Sequence, residues 1–190
     1  LIEMQKNPDK KIFFGGYSYS KQYSGKGRLR FRYGIKREFK SALKREIKPY
    51  RNVYSGNMLI HRETFELINI PLENVYGLDL AFSGQLEFHK IPFKHIDNYT
   101  CHRDIDDNNT FLLKSKEASI TIRNLYDQGL INPKQSKLIW AYILIKKLHL
   151  IKIVKLKGRL LSPLIYWMLN NFRAPLITLD FYKLYHFCKK

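Results

Sequence analysis

Between Val53 and Asn109 three short apolar runs alternate with polar turns, and this alternation limits the fold more than any other stretch. The turns hold Asn57, Asp79 and His102, and one helix-like segment, Leu80 to Lys90, lies between the second turn and the third run. That order predicts a strand–helix–strand unit with polar residues at the strand ends. Open α/β sheets usually place their binding crevice there.

The flanking sequence extends this frame. Leu1 to Asn7 reads as the end of a helix, stopped by Asn7-Pro8-Asp9. Lys11-Ile-Phe-Phe-Gly-Gly16 reads as a short buried strand ending in a flexible glycine turn. Arg28, Arg30 and Arg32 alternate with Leu29, Phe31 and Tyr33, and period two predicts an extended strand with the arginines on one face. A solvated edge strand is the plain account of that stretch; a phosphate or acceptor contact is the functional one, because guanidinium offers a planar set of donors. Ile35 to Ile47 fits a basic helix ended by Lys48-Pro49. Arg62 to Leu67 fits one or two helical turns. Asp107 is positioned to cap a helix running to about Gln128, with Phe111, Ala118, Ile122 and Leu125 on its buried face and Gly129 at its end.

Individual polar residues carry two readings each. Gly56 would let a ligand approach the backbone, and Asn57 can donate and accept together, which suits a sugar hydroxyl. Tyr54-Ser-Gly-Asn57 is equally an ordinary turn before the strand Met58-Leu-Ile60. Asp79 at the start of a helix is most simply an N-cap or a partner of the helix dipole. His102, alone after Tyr99-Thr-Cys101, is most simply structural.

Net charge decides what kind of partner to expect. The chain carries +18, which implies nucleic acid, phosphate-rich small molecules or an anionic membrane surface. From Pro133 onward there are twelve Lys/Arg against one acid, Asp180, while the middle of the chain is nearly balanced. In the C-terminal stretch lysines punctuate apolar runs such as Leu138–Ile145, and Pro163 and Asn170-Asn171 interrupt the run from Leu160 to Phe172. Tryptophan, tyrosine and lysine set against leucine and isoleucine suit helices lying in a membrane interface. A helical subdomain packed on the rest of the protein is the plain alternative. Two cysteines, Cys101 and Cys188, make neither a disulfide framework nor a Cys-rich zinc pattern. The competing functional class is a basic nucleic-acid-binding module without catalysis, since Arg28-Leu-Arg-Phe-Arg32 and thirteen tyrosines permit stacking beside phosphate contacts.

The ordered set Ser55-Gly-Asn-Met-Leu-Ile-His-Arg62, Tyr76-Gly-Leu-Asp79, Ile91-Pro-Phe-Lys-His-Ile-Asp-Asn98 and His102 followed by Asp107-Asn and a long helix resembles the acceptor half of bacterial family-2 glycosyltransferases of the GT-A fold. The resemblance runs from about Lys11 to about Tyr126. One departure stands out: the family usually shows Gly-x-Glu-Asp where this chain has Gly77-Leu78-Asp79, one residue shorter and without the glutamate. Counting back from Ile91-Pro92 places Asp79 on the family's aspartate.

The resemblance implies an α/β fold with residues 1–131 as a partial GT-A domain, the acceptor half; the change of composition after Asn132-Pro133 makes residues 132–190 a basic amphipathic helical extension. It implies an inverting transfer from a nucleotide-sugar donor to a glycan or lipid-linked acceptor, in bacterial cell-surface polysaccharide synthesis. Asp79 is then the general base, Gly56, Asn57 and Gly77 shape the substrate site, and His102 is a ligand to Mg²⁺ or Mn²⁺ on the leaving diphosphate. The family's Asp-x-Asp would precede Leu1, so the chain is expected to be a fragment, inactive alone. Its expected place is cytoplasmic, peripheral at the inner face of the cell membrane.

Overall fold

The computed structural model describes residues 2–20, 23, 25–70 and 76–189. The fold is mixed α/β: a small sheet beside a helical C-terminal part. The described strands are β1 (Ile12–Ser18), β2 (Met58–Ile60) and β3 (Phe93–Cys101), in the order β2-β1-β3. β1 runs antiparallel to β2 and parallel to β3. Ile12, Phe13 and Phe14 are fully or almost fully buried at the centre of the sheet, and Ile12 and Phe14 pack with Val53, Ile68 and Leu86.

Helices α1 (Ile2–Lys6), α2 (Arg28–Tyr33), α3 (Ala42–Glu46), α4 (Arg62–Ile68) and α5 (Asp79–Phe88) surround the sheet. Arg28 to Tyr33 is helical, not extended, and Gly34–Glu38 continues it as a π-helical turn. The period-two pattern misled because Leu29 buries against Phe111 and Leu112, while Arg30 turns inward to Glu38 at 3.0 Å. Tertiary partners, not alternation, set that backbone. The basic helix expected from Ile35 to Ile47 is broken into the π-helical turn and α3.

Gly15 and Gly16 lie inside β1 and are not a terminal turn. The β1–β3 register jumps across Gly15: Phe14 pairs with His95, but Gly16 pairs with Tyr99. The extra residues of β3 bulge outward and free main-chain carbonyls from the ladder. A Cβ on Gly15 would lie 2.4 Å from the Asn98 carbonyl oxygen, so only glycine passes here.

Helix α6 (Asn108–Asp127) begins as expected, with the Asp107 carboxylate accepting from the Thr110 N–H at 2.9 Å, and the chain leaves it through Gly129 at φ +74°. Helices α7 (Lys137–Lys147), α8 (Ile151–Asn171) and α9 (Leu176–Lys189) follow. α8 passes through Pro163 without ending. Leu169, Leu179 and Tyr182 share one core with Leu29, Phe111 and Leu112, and Phe187 shares another with Ala81, Leu125 and Ile139. The C-terminal helices are thereby packed on α2, α5 and α6.

Candidate functional site at the end of the sheet

Three segments meet at one end of the sheet. β1 and β3 are parallel and finish together, Ser18 beside Cys101, and β2 starts at that same end because it runs the other way. Ser55-Gly56-Asn57 therefore reaches this end, with Gly56 against the Tyr17 hydroxyl. The His102 N–H donates to the Ser18 carbonyl at 2.9 Å, which extends the ladder by one bond and fixes the imidazole at the rim.

Asp79 is the first residue of α5, and its side chain makes no cap: Leu78 occupies the cap position, without a side-chain hydrogen bond. The carboxyl instead interacts with the hydroxyl and backbone of Ser55. Ser55, Met58, Phe65, Asn69, Asp79 and Phe82 line a hollow of about 180 Å³. The residue as a whole keeps exposed surface, but dense neighbours around the carboxyl push its pKa above the ordinary carboxylate value; Ser55 pulls it back, and the charge of Glu38 adds to the rise. A carboxylate raised in this way sits closer to the range useful for proton transfer.

His102 is half-buried. Its ring stacks on Tyr19 with 5.8 Å between centroids and meets Tyr17 edge-on at 5.9 Å. Nδ1 is buried without a hydrogen-bond partner. Burial, and then the charge of Arg30, hold its pKa below the usual histidine value, with Glu38, Asp106 and Asp104 opposing. The ring borders a separate cavity of about 450 Å³ with Tyr23, Phe31, Cys101 and Ile105.

Asp79 and His102 thus border different hollows that share no lining residue, with Tyr17 close to His102 and within the electrostatic reach of Asp79. The Tyr17 ring lies 5.0 Å from that of Tyr54 and 5.9 Å from that of His102, and its hydroxyl is pushed up in pKa by burial and then by the charges of Asp79 and Glu38. Gly56 belongs here as well: the Tyr17 hydroxyl lies 2.3 Å from where a Cβ on Gly56 would sit. Asn57 faces the sheet. Its amide nitrogen donates to the Gly16 carbonyl at 2.9 Å and to the Asn98 carbonyl at 2.8 Å, leaving only Oδ1 for a ligand. Gly77, at φ +103°, packs where a Cβ would be 3.3 Å from the Ala118 carbonyl of α6.

Two residues at this end have no signature in the sequence. Glu38 accepts from the Tyr19 hydroxyl and from Arg30, and its backbone carbonyl accepts from Tyr54 at 3.3 Å. Arg45 is fully buried behind the bulge. It donates to the carbonyls of Phe14 at 3.0 Å, Gly15 at 2.7 Å and Ile96 at 2.6 Å. It also donates to His95 Nδ1 at 3.2 Å, so Nε2 of that ring carries the hydrogen that faces the Pro49 carbonyl at 3.2 Å. Burial, and then Arg45, keep the pKa of His95 low and the ring neutral. Both residues fall in a stretch rich in Lys and Arg, where spacing gives no reason to single out either.

The residues of this end do not make a metal site by themselves: among the described residues no three His, Cys, Asp or Glu side chains gather to hold an ion. His102 offers at most one ligand.

No protein-family model, curated protein or solved structure matches this chain.

Proposed function

We propose that this end of the sheet is the acceptor side of a GT-A glycosyltransferase acting with inversion. The supporting observation is Asp79, free of any capping bond and held by Ser55, beside Gly56 and Tyr17 at the carboxyl end of the parallel strands; His102 lies on the other side of Tyr17, on a neighbouring hollow. In the reaction, an acceptor hydroxyl attacks the anomeric carbon of a nucleotide sugar. Its proton passes to the Asp79 carboxylate as the new C–O bond forms, and the bond to the nucleoside diphosphate breaks with its electron pair staying on the diphosphate. Ser55 orients the carboxylate, and Tyr17 and Tyr54 wall the acceptor. A bound Mg²⁺ or Mn²⁺ would supply charge to the leaving diphosphate, with His102 as its ligand from the described residues.

The second part of the proposal is residence on an anionic membrane surface at the inner face of the cell membrane. Among the described residues no helix is long and apolar enough to cross a membrane. α8 nevertheless has two apolar sides. Gly158, Ile165 and Leu169 face the core. Ile153, Leu156, Leu160, Leu164 and Trp167, spaced by three and four, are exposed on roughly the opposite side at about 100° per residue. Lys152 and Arg159 flank the exposed stripe on one edge and Lys157 on the other, the pattern of a helix lying in a lipid interface.

The test is sugar transfer from nucleotide-sugar donors, using the protein with any preceding segment of its natural sequence. Asp79→Asn lowers the transfer rate by about 10²- to 10⁴-fold with an unchanged thermal melt. Transfer retained in Asp79→Asn but lost in Glu38→Gln moves the base to Glu38. Transfer unaffected by either variant removes the enzymatic assignment.

A further inference from the structure

A second cleft, larger than either hollow described above, lies between α2 and the turn joining α8 to α9. It encloses about 900 Å³, and Arg28, Arg32, Asn108, Asn171, Phe172 and Arg173 are on its walls. Arg32 and Arg173 also border an adjoining hollow of about 650 Å³ with Lys36 and Arg37. Arg37 is matched by Asp180 at 2.8 Å. Arg28, Arg32 and Arg173 make no ion pair among the described residues. Asp107 is the acid on the cleft wall, and its oxygens are engaged by the Thr110 N–H and hydroxyl, both at 2.9 Å.

Two guanidinium groups held near each other repel, and Asp107, the carboxylate on the cleft wall, makes no ion pair with either of them. Burial and the charge of Arg173 together depress the pKa of Arg32. The frame around them is fixed: Asn108 accepts from the Leu29 N–H at 2.8 Å and donates to the Asn170 carbonyl at 2.9 Å. What relieves the repulsion is an anion with several acceptor oxygens. A carboxylate has two oxygens and one charge; a phosphate monoester or diphosphate has more of both and matches the planar donor fork of arginine.

The cleft is also continuous with the apolar stripe of α8. Phe172, on the cleft wall, is exposed, and its ring lies 4.7 Å from that of Trp167, the last residue of the stripe. An anion seated between Arg32 and Arg173 therefore has an apolar path leading directly away from it.

We propose that this cleft binds the phosphate or diphosphate headgroup of a membrane amphiphile, with Arg32 and Arg173 on the phosphate, Arg28 at the rim, and Phe172 and Trp167 against the chain that follows it. The inference rests on the membrane-facing part of the proposed function and not on sugar transfer. It gives the basic surface a specific ligand in place of diffuse charge attraction.

Vesicle co-sedimentation tests it. Phosphatidylcholine vesicles carry either phosphatidate, a phosphate monoester, or phosphatidylglycerol, a diester, at matched surface potential. The wild-type chain binds phosphatidate vesicles about tenfold more tightly than phosphatidylglycerol vesicles. Arg32→Gln/Arg173→Gln brings the two within about twofold with an unchanged thermal melt, whereas Lys152→Gln/Lys157→Gln weakens both equally by lowering general attraction. Equal binding of the two wild-type vesicle sets, or a preference that survives the double arginine variant, overturns the headgroup site while leaving membrane residence standing. Absence of binding to either vesicle overturns both. Calorimetry with inorganic pyrophosphate and a single-stranded oligonucleotide, each without vesicles, separates other sources of phosphate. Arginine-dependent binding of either, without a phosphatidate preference, overturns the assignment to a lipid.

Discussion

Arg45 and Arg173 show how differently the two halves of this chain use one side chain. In the sheet half, a guanidinium is driven completely inside and surrounded by three carbonyls and a neutral imidazole. In the helical half, a guanidinium is left on the surface beside Arg32 with no acid on it among the described residues. The first arrangement serves the fold: a register jump frees carbonyls, and a buried carbonyl without a donor is costly. The second has no ion pair among the described residues. Internal pairing marks structure; the proposed headgroup site draws on charge and apolar surface that the fold leaves over together. α8 repeats the contrast within one helix, with a core side and a second apolar side turned to solvent.

The largest effect that can break this comparison is expected at Arg45. Arg45→Met removes a donor from the carbonyls of Phe14, Gly15 and Ile96 and the partner of Asp97 at 3.8 Å, and lowers unfolding free energy by about 3–5 kcal/mol in urea titration. Arg45→Lys keeps the charge but not the fork, so it recovers only part of that loss. A change below 1 kcal/mol in either would mean that the bulge is not pinned from inside.

The two sides of α8 provide the next measure. Leu169 is fully buried and Leu164 is exposed. Leu169→Ala should lower stability by about 2–5 kcal/mol, and Leu164→Ala by less than about 0.5 kcal/mol in the same denaturation experiment. Comparable losses would mean that the exposed stripe is part of the core in solution and is not held for a lipid surface.

The smallest effect is a pH dependence in the C-terminal helices. His186 is buried against Tyr182 and Tyr185, and burial, followed by Lys116 and Lys189, takes its pKa down from 6.5 to about 4. The unfolded chain then binds a proton that the folded chain refuses across that window. Stability is complete above pH 6.5 and falls as pH drops toward 4, by on the order of 2 kcal/mol. His186→Phe should flatten that slope in melts taken across the window; an unchanged slope would assign it to other groups.

Much of the secondary structure was legible. Glycine, proline and aspartate punctuation marked the end of α1, the cap of α6 and its exit at Gly129, and alternating apolar runs marked β1, β2 and β3. These are local signals, each set by the backbone chemistry of one or two residues. The arginine alternation at 28–32 misled because period two in a short segment is weak beside the burial of Leu29 and the pull of Glu38 on Arg30. For the candidate site, the sequence singled out Asp79, Gly56, Asn57, Gly77 and His102; the fold takes the amide nitrogen of Asn57 for its own carbonyls and packs Gly77 against α6.

The sequence by itself determined the α/β character, the approximate extent of β2, α4, α5 and α6 and the excess of positive charge, because hydrophobic period, turn chemistry and charge are properties of neighbouring residues. Only the tertiary structure decided which polar groups face inward. The hub at Glu38, the pin at Arg45 and the cleft at Arg32 and Arg173 each join residues far apart in the chain. Their energetics depend on burial and on the presence or absence of an opposing group, and neither exists until the chain has packed.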